Sequence, residues 1–262
     1  MRVRSAVASL PAAALVALAA GAGSQALLST TAVASHARIA AAAPSGHTSN
    51  FGWASSNWSG YAITGSKGAF HAVTGSWKVP AVSATKKASY SSNWIGIDGF
   101  NNSNLIQTGT ESDYHNGAAH YDAWWEILPA SETVIAGITV HPGDAMSASI
   151  IKGSGSSWTI SISDTTTGKS FSTTQSYSGP QTSAEWIEEA PTVGGHLATL
   201  AHYGSAVFDP GTVNGGNPHL TFSNSGDMIQ GGKQVSTPST PDTDTDGFKV
   251  AYGSTQPSPP SS

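Results

Sequence analysis

The 262-residue chain contains no cysteine, which removes disulfides, thiol nucleophiles and cysteine-ligated zinc together. Stability must come from the core. Charge is almost as scarce, at 10% of residues. All three arginines, Arg2, Arg4 and Arg38, precede residue 39, and the rest of the chain sets 8 lysines against 16 acids, a formal net charge of −8. A sparse, acidic, arginine-free surface offers phosphates nothing to grip, so no nucleic-acid partner is expected. The same scarcity suits an acidic medium, where few cations remain to repel one another once carboxylates protonate. Common hydrolase signatures are also missing: there is no G-x-S-x-G, no H-E-x-x-H, and no Asp-Thr-Gly or Asp-Ser-Gly. Long amphipathic runs at helical spacing are lacking too.

What is present begins with an export signal. Arg2 and Arg4 precede an apolar run from Ala6 to Ala20, broken by Pro11, and small residues end in Ala32-Val33-Ala34. This layout predicts a secretory signal peptide over residues 1–34 and a secreted, extracellular product. No later stretch approaches the roughly 18 apolar residues of a membrane span, so no membrane association is expected after signal removal. Residues 35–50, Ala-rich and then polar, read as a propeptide or linker. Residues 51–252 form one domain, and the Pro/Ser-rich residues 253–262 are expected to be disordered.

Within that domain the pattern is β throughout. Trp158-Thr-Ile160-Ser-Ile162-Ser alternates strictly, and Met146-Ser-Ala148-Ser-Ile150 precedes it across a Gly/Ser turn, which predicts a hairpin. Further short β-type runs, punctuated by 29 glycines and 14 prolines, predict an all-β fold. Its form would be a two-sheet antiparallel β-sandwich of jelly-roll or concanavalin-like type.

Aromatic and acidic clusters stand out against this background. They are Asn57-Trp58-Ser59-Gly60-Tyr61, Asn93-Trp94-Ile95-Gly96-Ile97-Asp98-Gly99, Ile106-Gln107-Thr108-Gly109-Thr110-Glu111, Tyr121-Asp122-Ala123-Trp124-Trp125-Glu126 and Ser183-Ala184-Glu185-Trp186-Ile187-Glu188-Glu189. Taken singly, the tryptophans read first as core and Gln107 as a surface amide. Glu185 is harder to explain away, because an acid among apolar strand neighbours needs a reason. Five motifs in this order resemble the glutamic peptidases, the eqolisin family, from about Asn57 to Tyr252.

The resemblance implies a pepstatin-insensitive acid endopeptidase in which Glu185 and Gln107 are catalytic. It also implies a cleft lined by Trp58, Trp94, Asp98, Glu111, Glu126, Ile187, Glu188 and Glu189. Glu111 stands where the family often has Asp, and Leu128 where Tyr is expected, which bears on substrate preference. Polypeptide substrates, a monomer and no cofactor are expected. The chemistry is coherent in itself: amide hydrolysis needs a base for water, a donor for the oxyanion and an acid for the leaving amine. A carboxylate can serve as base and then acid, and a primary amide can donate without titrating. Strand alternation puts Glu185, Ile187 and Glu189 on one face and Trp186 and Glu188 on the other. A secreted glycan-binding module, with tryptophans stacking on sugars, and a glycoside hydrolase, with paired carboxylates, are the alternatives; neither has use for Gln107.

Asp242-Thr-Asp244-Thr-Asp246-Gly247 matches the start of an EF-hand loop, but Gly253 stands where a bidentate Glu is needed. The expectation is therefore a turn, with no metal.

Overall fold

Alternation along the strands divides most of the chain between a buried and an exposed face, and the structure, a computed structural model, describes residues 34–39 and 51–262. The expected signal peptide, apart from Ala34, and residues 40–50 lie outside the described residues. The described residues all fall within one unit, Ala32–Ser262.

The first strands are β1 (Ala34–Ser35), β2 (Trp53–Ser55), β3 (Trp58–Thr64), β4 (Ala72–Lys78), β5 (Ser92–Ile97) and β6 (Ile106–His115). They are followed by β7 (Ala118–Ile127), β8 (Thr133–Thr139), β9 (Ala145–Lys152), β10 (Ser157–Asp164), β11 (Lys169–Ser176) and β12 (Ser183–Glu189). The last are β13 (Thr192–Val193), β14 (His196–Leu197), β15 (Ser205–Val213), β16 (Ser225–Gln230), β17 (Lys233–Pro238) and β18 (Phe248–Tyr252). A single 3-10 turn, Phe222–Asn224, is the only helical element among the described residues.

Hydrogen bonding runs in one path, β11-β10-β9-β4-β15-β18-β17-β16-β3-β12-β5-β6-β7-β8, with every neighbour antiparallel; β2 adds to β16 in parallel. The path doubles over on itself. β5 and β6 pack on β9, β6 also on β10, and β8 on β11, so the two ends face each other as the layers of the expected sandwich. A small separate sheet, β1-β13-β14, joins residues 34–35 to the chain beyond β12.

The predicted hairpin forms, with Ile160 opposite Ile150. Ile150, Trp158, Ile160 and Ile162 from this layer meet Tyr61, Ile95, Ile97 and Trp186 from the other, forming the main core. A second apolar cluster, Trp58, Trp94, Leu105, Trp124 and Ile187, covers the outer side of the β3-β12-β5-β6-β7 layer. Edge strand β11, whose only large apolar residue is Phe171, carries too little hydrophobic signal to be read from sequence. Residues 253–262, expected from sequence to be disordered, carry no strand or helix; Gln256 donates to the Pro238 carbonyl and Ser262 bonds the Thr243 hydroxyl at 2.6 Å. No helix among the described residues is long and apolar enough to cross a membrane.

Candidate active site

The register of four strands aligns the chemistry. Glu185 on β12 is opposite Gly96 on β5, Gly96 is opposite Gln107 on β6, and Gln107 is opposite Glu126 on β7. Directly paired residues share a sheet face, so Glu185, Gln107 and Glu126 project from one side. Two inter-strand spacings separate the Glu185 and Gln107 backbones, roughly 10 Å, and the residue between them has no side chain. Even a Cβ at Gly96 would come within 2.8 Å of the Trp94 ring and 3.0 Å of Leu105. The next rows on the same face are Ile187, Trp94, Gly109 and Trp124, then Glu189, Ser92, Glu111 and Asp122. Gly109 is required for Trp94 to lie down, since a Cβ there would sit 2.5 Å from the Trp94 Cβ.

Gln107 donates from Nε2 to Glu126 Oε2 at 2.5 Å, which orients its amide and leaves a second N–H. Glu185 is fully buried, and neither of its carboxylate oxygens has a hydrogen-bond partner. Burial drives its pKa well above the usual carboxylate range; the nearby Ser183 hydroxyl, short of hydrogen-bond geometry, pulls the other way, Asp98 adds to the rise, and Arg38 opposes it. Glu126 is pushed up to about 7, chiefly by burial, against the opposing pull of His36. Glu189 accepts from Trp94 Nε1 at 2.8 Å and from Asn57 Nδ2 at 2.9 Å.

Residues 34–39 lie across this face. His36 is fully buried and stacks flat on Trp124, with ring centres 3.9 Å apart and planes 3° from parallel. Its Nδ1 contacts Glu189 at 3.0 Å and its Nε2 contacts Glu132 at 3.2 Å, while Glu111 lies 4.0 Å away. Burial alone would lower the imidazole pKa, but the charge of Glu189 and the bonds to Glu132 and Glu189 outweigh it and raise it well above the usual imidazole range. Arg38 donates to the carbonyls of Phe100 and Ala54 at 3.2 and 3.1 Å, its guanidinium 4.3 Å from the Phe100 ring centre and 5.2 Å from that of Trp53. Part of the segment read from sequence as a propeptide or linker thus lies against this face, basic where the face is acidic.

The structure brings Trp58, Trp94, Glu111, Glu126, Ile187 and Glu189 to the face that carries Glu185 and Gln107. It does not bring Glu188 there. Alternation turns Glu188 into the space between the layers, where Asn93 Nδ2 donates to it at 2.6 Å and burial raises its pKa. Asp98 lies just past the end of β5. Its buried carboxylate accepts from the Tyr177 hydroxyl at 2.6 Å, from the Gln181 and Thr182 amides at 2.8 Å each, and from Asn102 at 3.1 Å, which leaves it a loop-organising role. Sequence reasoning missed His36, Arg38, Trp53, Phe100, Trp124 and Glu132. Trp124 was findable, two residues from Glu126 on one strand; Glu132, in the connection after β7, was not.

Two groups among the described residues could hold a cation: His36, Glu111 and Glu132 in the cleft, and Asp209, Asp242 and Asp246 outside it. In the first, the His36 ring itself already bridges Glu132 and Glu189.

A two-layer β-sandwich with a buried glutamate and glutamine flanking a glycine on one acid-lined face defines a class, and the sequence agrees. Residues 56–252 match the Peptidase A4 family, and the chain belongs to that family. Aspergillopepsin-2 from Aspergillus niger is 32% identical over 180 residues, covering 59% of this chain and 62% of the relative. Scytalidopepsin B from Scytalidium lignicola is 36% identical over 139 residues, covering 51% of each chain. The chain therefore spans between about half and three-fifths of the length of these curated relatives. A scytalido-glutamic peptidase crystallised with a transition-state-analog inhibitor superposes with a TM-score of 0.64 at 25% identity, over 75% of this chain and 98% of that one. The aspergilloglutamic peptidase from Aspergillus niger superposes with a TM-score of 0.52 at 28% identity, over 63% of this chain and 99% of that one.

Proposed function

We propose that the chain is a secreted acid endopeptidase in which Glu185 is general base and then general acid, and Gln107 is the oxyanion donor. The observation that carries this reading is the pairing of Glu185, Gly96, Gln107 and Glu126 across four strands. A peptide laid over Gly96 would meet the carboxylate on one side and the amide on the other. Glu185 takes a proton from water as the water oxygen attacks the carbonyl carbon. The free N–H of Gln107 holds the resulting oxyanion, with Glu126 as the positioning residue behind it. Glu185 returns its proton to the departing nitrogen as the C–N bond breaks.

Residues 34–39 occupy the same face, which supports reading them as a propeptide that must leave before substrate enters. Its departure admits water, and with it goes part of the desolvation that holds Glu185 neutral, so the carboxyl titrates nearer the acid working range. The test is digestion of acid-denatured haemoglobin or casein below neutral pH with pepstatin present. Cleavage is expected, after a lag that ends as the N-terminus moves past Ile39; absence of cleavage by the trimmed protein at any acidic pH would refute the proposal.

A further inference from the structure

Outside the cleft, three carboxylates converge where the loop before β18 meets β15. Asp209 comes from β15, and Asp242 and Asp246 from the loop, with one carboxylate oxygen from each placed close enough to share an ion. Asp242 is 6% exposed. Its Oδ1 accepts the backbone N–H groups of Asp246 and Gly247, both at 3.2 Å, and this fixes the side chain so that Oδ2 points away from the loop's own donors. That Oδ2 is buried without any hydrogen-bond partner, as is Asp246 Oδ1. A Cβ built on Gly247 would lie 2.4 Å from Asp242 Oδ2 and 2.8 Å from Asp209 Cγ, so the two carboxylates close in on the same stretch of backbone. Asp244 adds a fourth negative charge nearby. Among the described residues, no lysine or arginine lies within ion-pair distance of these acids; every ion pair between described residues involves a histidine elsewhere.

We propose that Asp209, Asp242 and Asp246 form a calcium site that ties the 242–247 loop to β15. An all-carboxylate oxygen set without His or Cys suits a hard cation and disfavours zinc. Three protein carboxylates suit calcium, which takes six to eight oxygen ligands in flexible geometry, whereas magnesium keeps several waters and is bound through one or two carboxylates. The objection from sequence, that Gly253 cannot close an EF-hand, does not apply. The closing carboxylate comes from Asp209, far away in the chain, and the loop needs no flanking helices because a strand lies on each side of it.

The ion would add to a loop already stitched by backbone bonds, Gly211 N–H to the Asp246 carbonyl and Leu220 N–H to the Thr245 carbonyl, at 2.8 and 2.9 Å. It would reinforce the β15–β18 joint where the sheet turns from one layer to the other. The inference is independent of the peptidase reading, because its readout is stability and metal binding.

The experiment uses the secreted protein, stripped with chelator and held at about pH 7. Millimolar CaCl2 should raise its melting temperature by on the order of 5 °C, as expected for a ligand well above its Kd. MgCl2 should do much less, and calorimetric titration should give about one calcium per chain. Asp246→Asn and Asp209→Asn should each remove most of the shift while leaving the circular dichroism spectrum unchanged. No calcium-dependent shift in the unmutated protein, or a full shift retained in both folded variants, would overturn the proposal.

Discussion

β10 and β12 belong to opposite layers of one sandwich and were built by different rules. In β10 burial alternates residue by residue, with Trp158, Ile160 and Ile162 inward and Thr159, Ser161 and Ser163 outward. In β12 every residue is buried, although three of its seven are glutamates. The first is an ordinary half-solvated strand held by the hydrophobic effect. The second is covered on its outer face by tryptophans and by residues 34–39, and its acids are kept in a medium that disfavours their charge. A row of buried carboxyls gains nothing in packing and costs least where the groups are neutral.

Several substitutions and conditions would break or sharpen this contrast. Glu185 aside, the largest effect is expected at Gln107. Gln107→Ala should lower kcat by about 10²–10³, as for loss of an oxyanion donor, with KM changed much less; a loss confined to KM would make Gln107 a binding residue.

Next comes pH. Burial raises the folded-state pKa of Glu185, Glu188, Glu189, Glu111 and Glu126, and the paired His36 is raised as well. A raised folded pKa means that the folded state holds its proton more tightly than the unfolded chain. That stability is present in full below the unfolded value and is lost as pH climbs through the folded one. For Glu126 the window runs from 4.5 to about 7. Melting temperature in EDTA should therefore fall between about pH 4 and pH 7; a protein more stable at pH 7 would contradict the assignment of buried neutral carboxyls.

A smaller effect separates two serines. Ser92 on β5 accepts from the buried Trp124 indole at 3.0 Å, whereas Ser161 on β10 meets only Ser172 at the surface, at 2.9 Å. Ser92→Ala strands a buried donor and should cost about 1–3 kcal/mol in denaturant unfolding. Ser161→Ala should fall within about 0.5 kcal/mol. Equal costs would erase the distinction between the layers.

The strand content, the β9–β10 hairpin and the two-layer form were legible because alternation and turn residues are local signals. The cleft was legible only in part. Period-2 spacing correctly separates Glu185 from Glu188, but no spacing rule shows that Gln107 and Glu185, 78 positions apart in the chain, flank the same glycine; that comes from the pairing of β12 with β5 and β5 with β6. The order of residues 34–39 was hidden for a related reason. Neither His36 nor Arg38 has a periodic context: His36 owes its position to acids supplied by β6, β12 and the connection after β7, and Arg38 to the carbonyls and rings of Ala54, Phe100 and Trp53. Asp209 escaped notice likewise, since its partners Asp242 and Asp246 are distant in sequence and meet it only after β15 and β18 pair.

The central claim is that one face of β12 does the chemistry and the other only holds the layers together. Glu185 and Glu188 are the same residue type three positions apart on one strand, both fully buried, and differ in which face they occupy. The decisive measurement is the rate of peptide hydrolysis, across the acid range, by the trimmed forms of Glu185→Gln and Glu188→Gln. The account predicts that Glu185→Gln falls to background with its fold intact, while Glu188→Gln keeps turnover within about tenfold of the unmutated protein. Near-normal hydrolysis by Glu185→Gln, or abolition by Glu188→Gln in a folded protein, would contradict it.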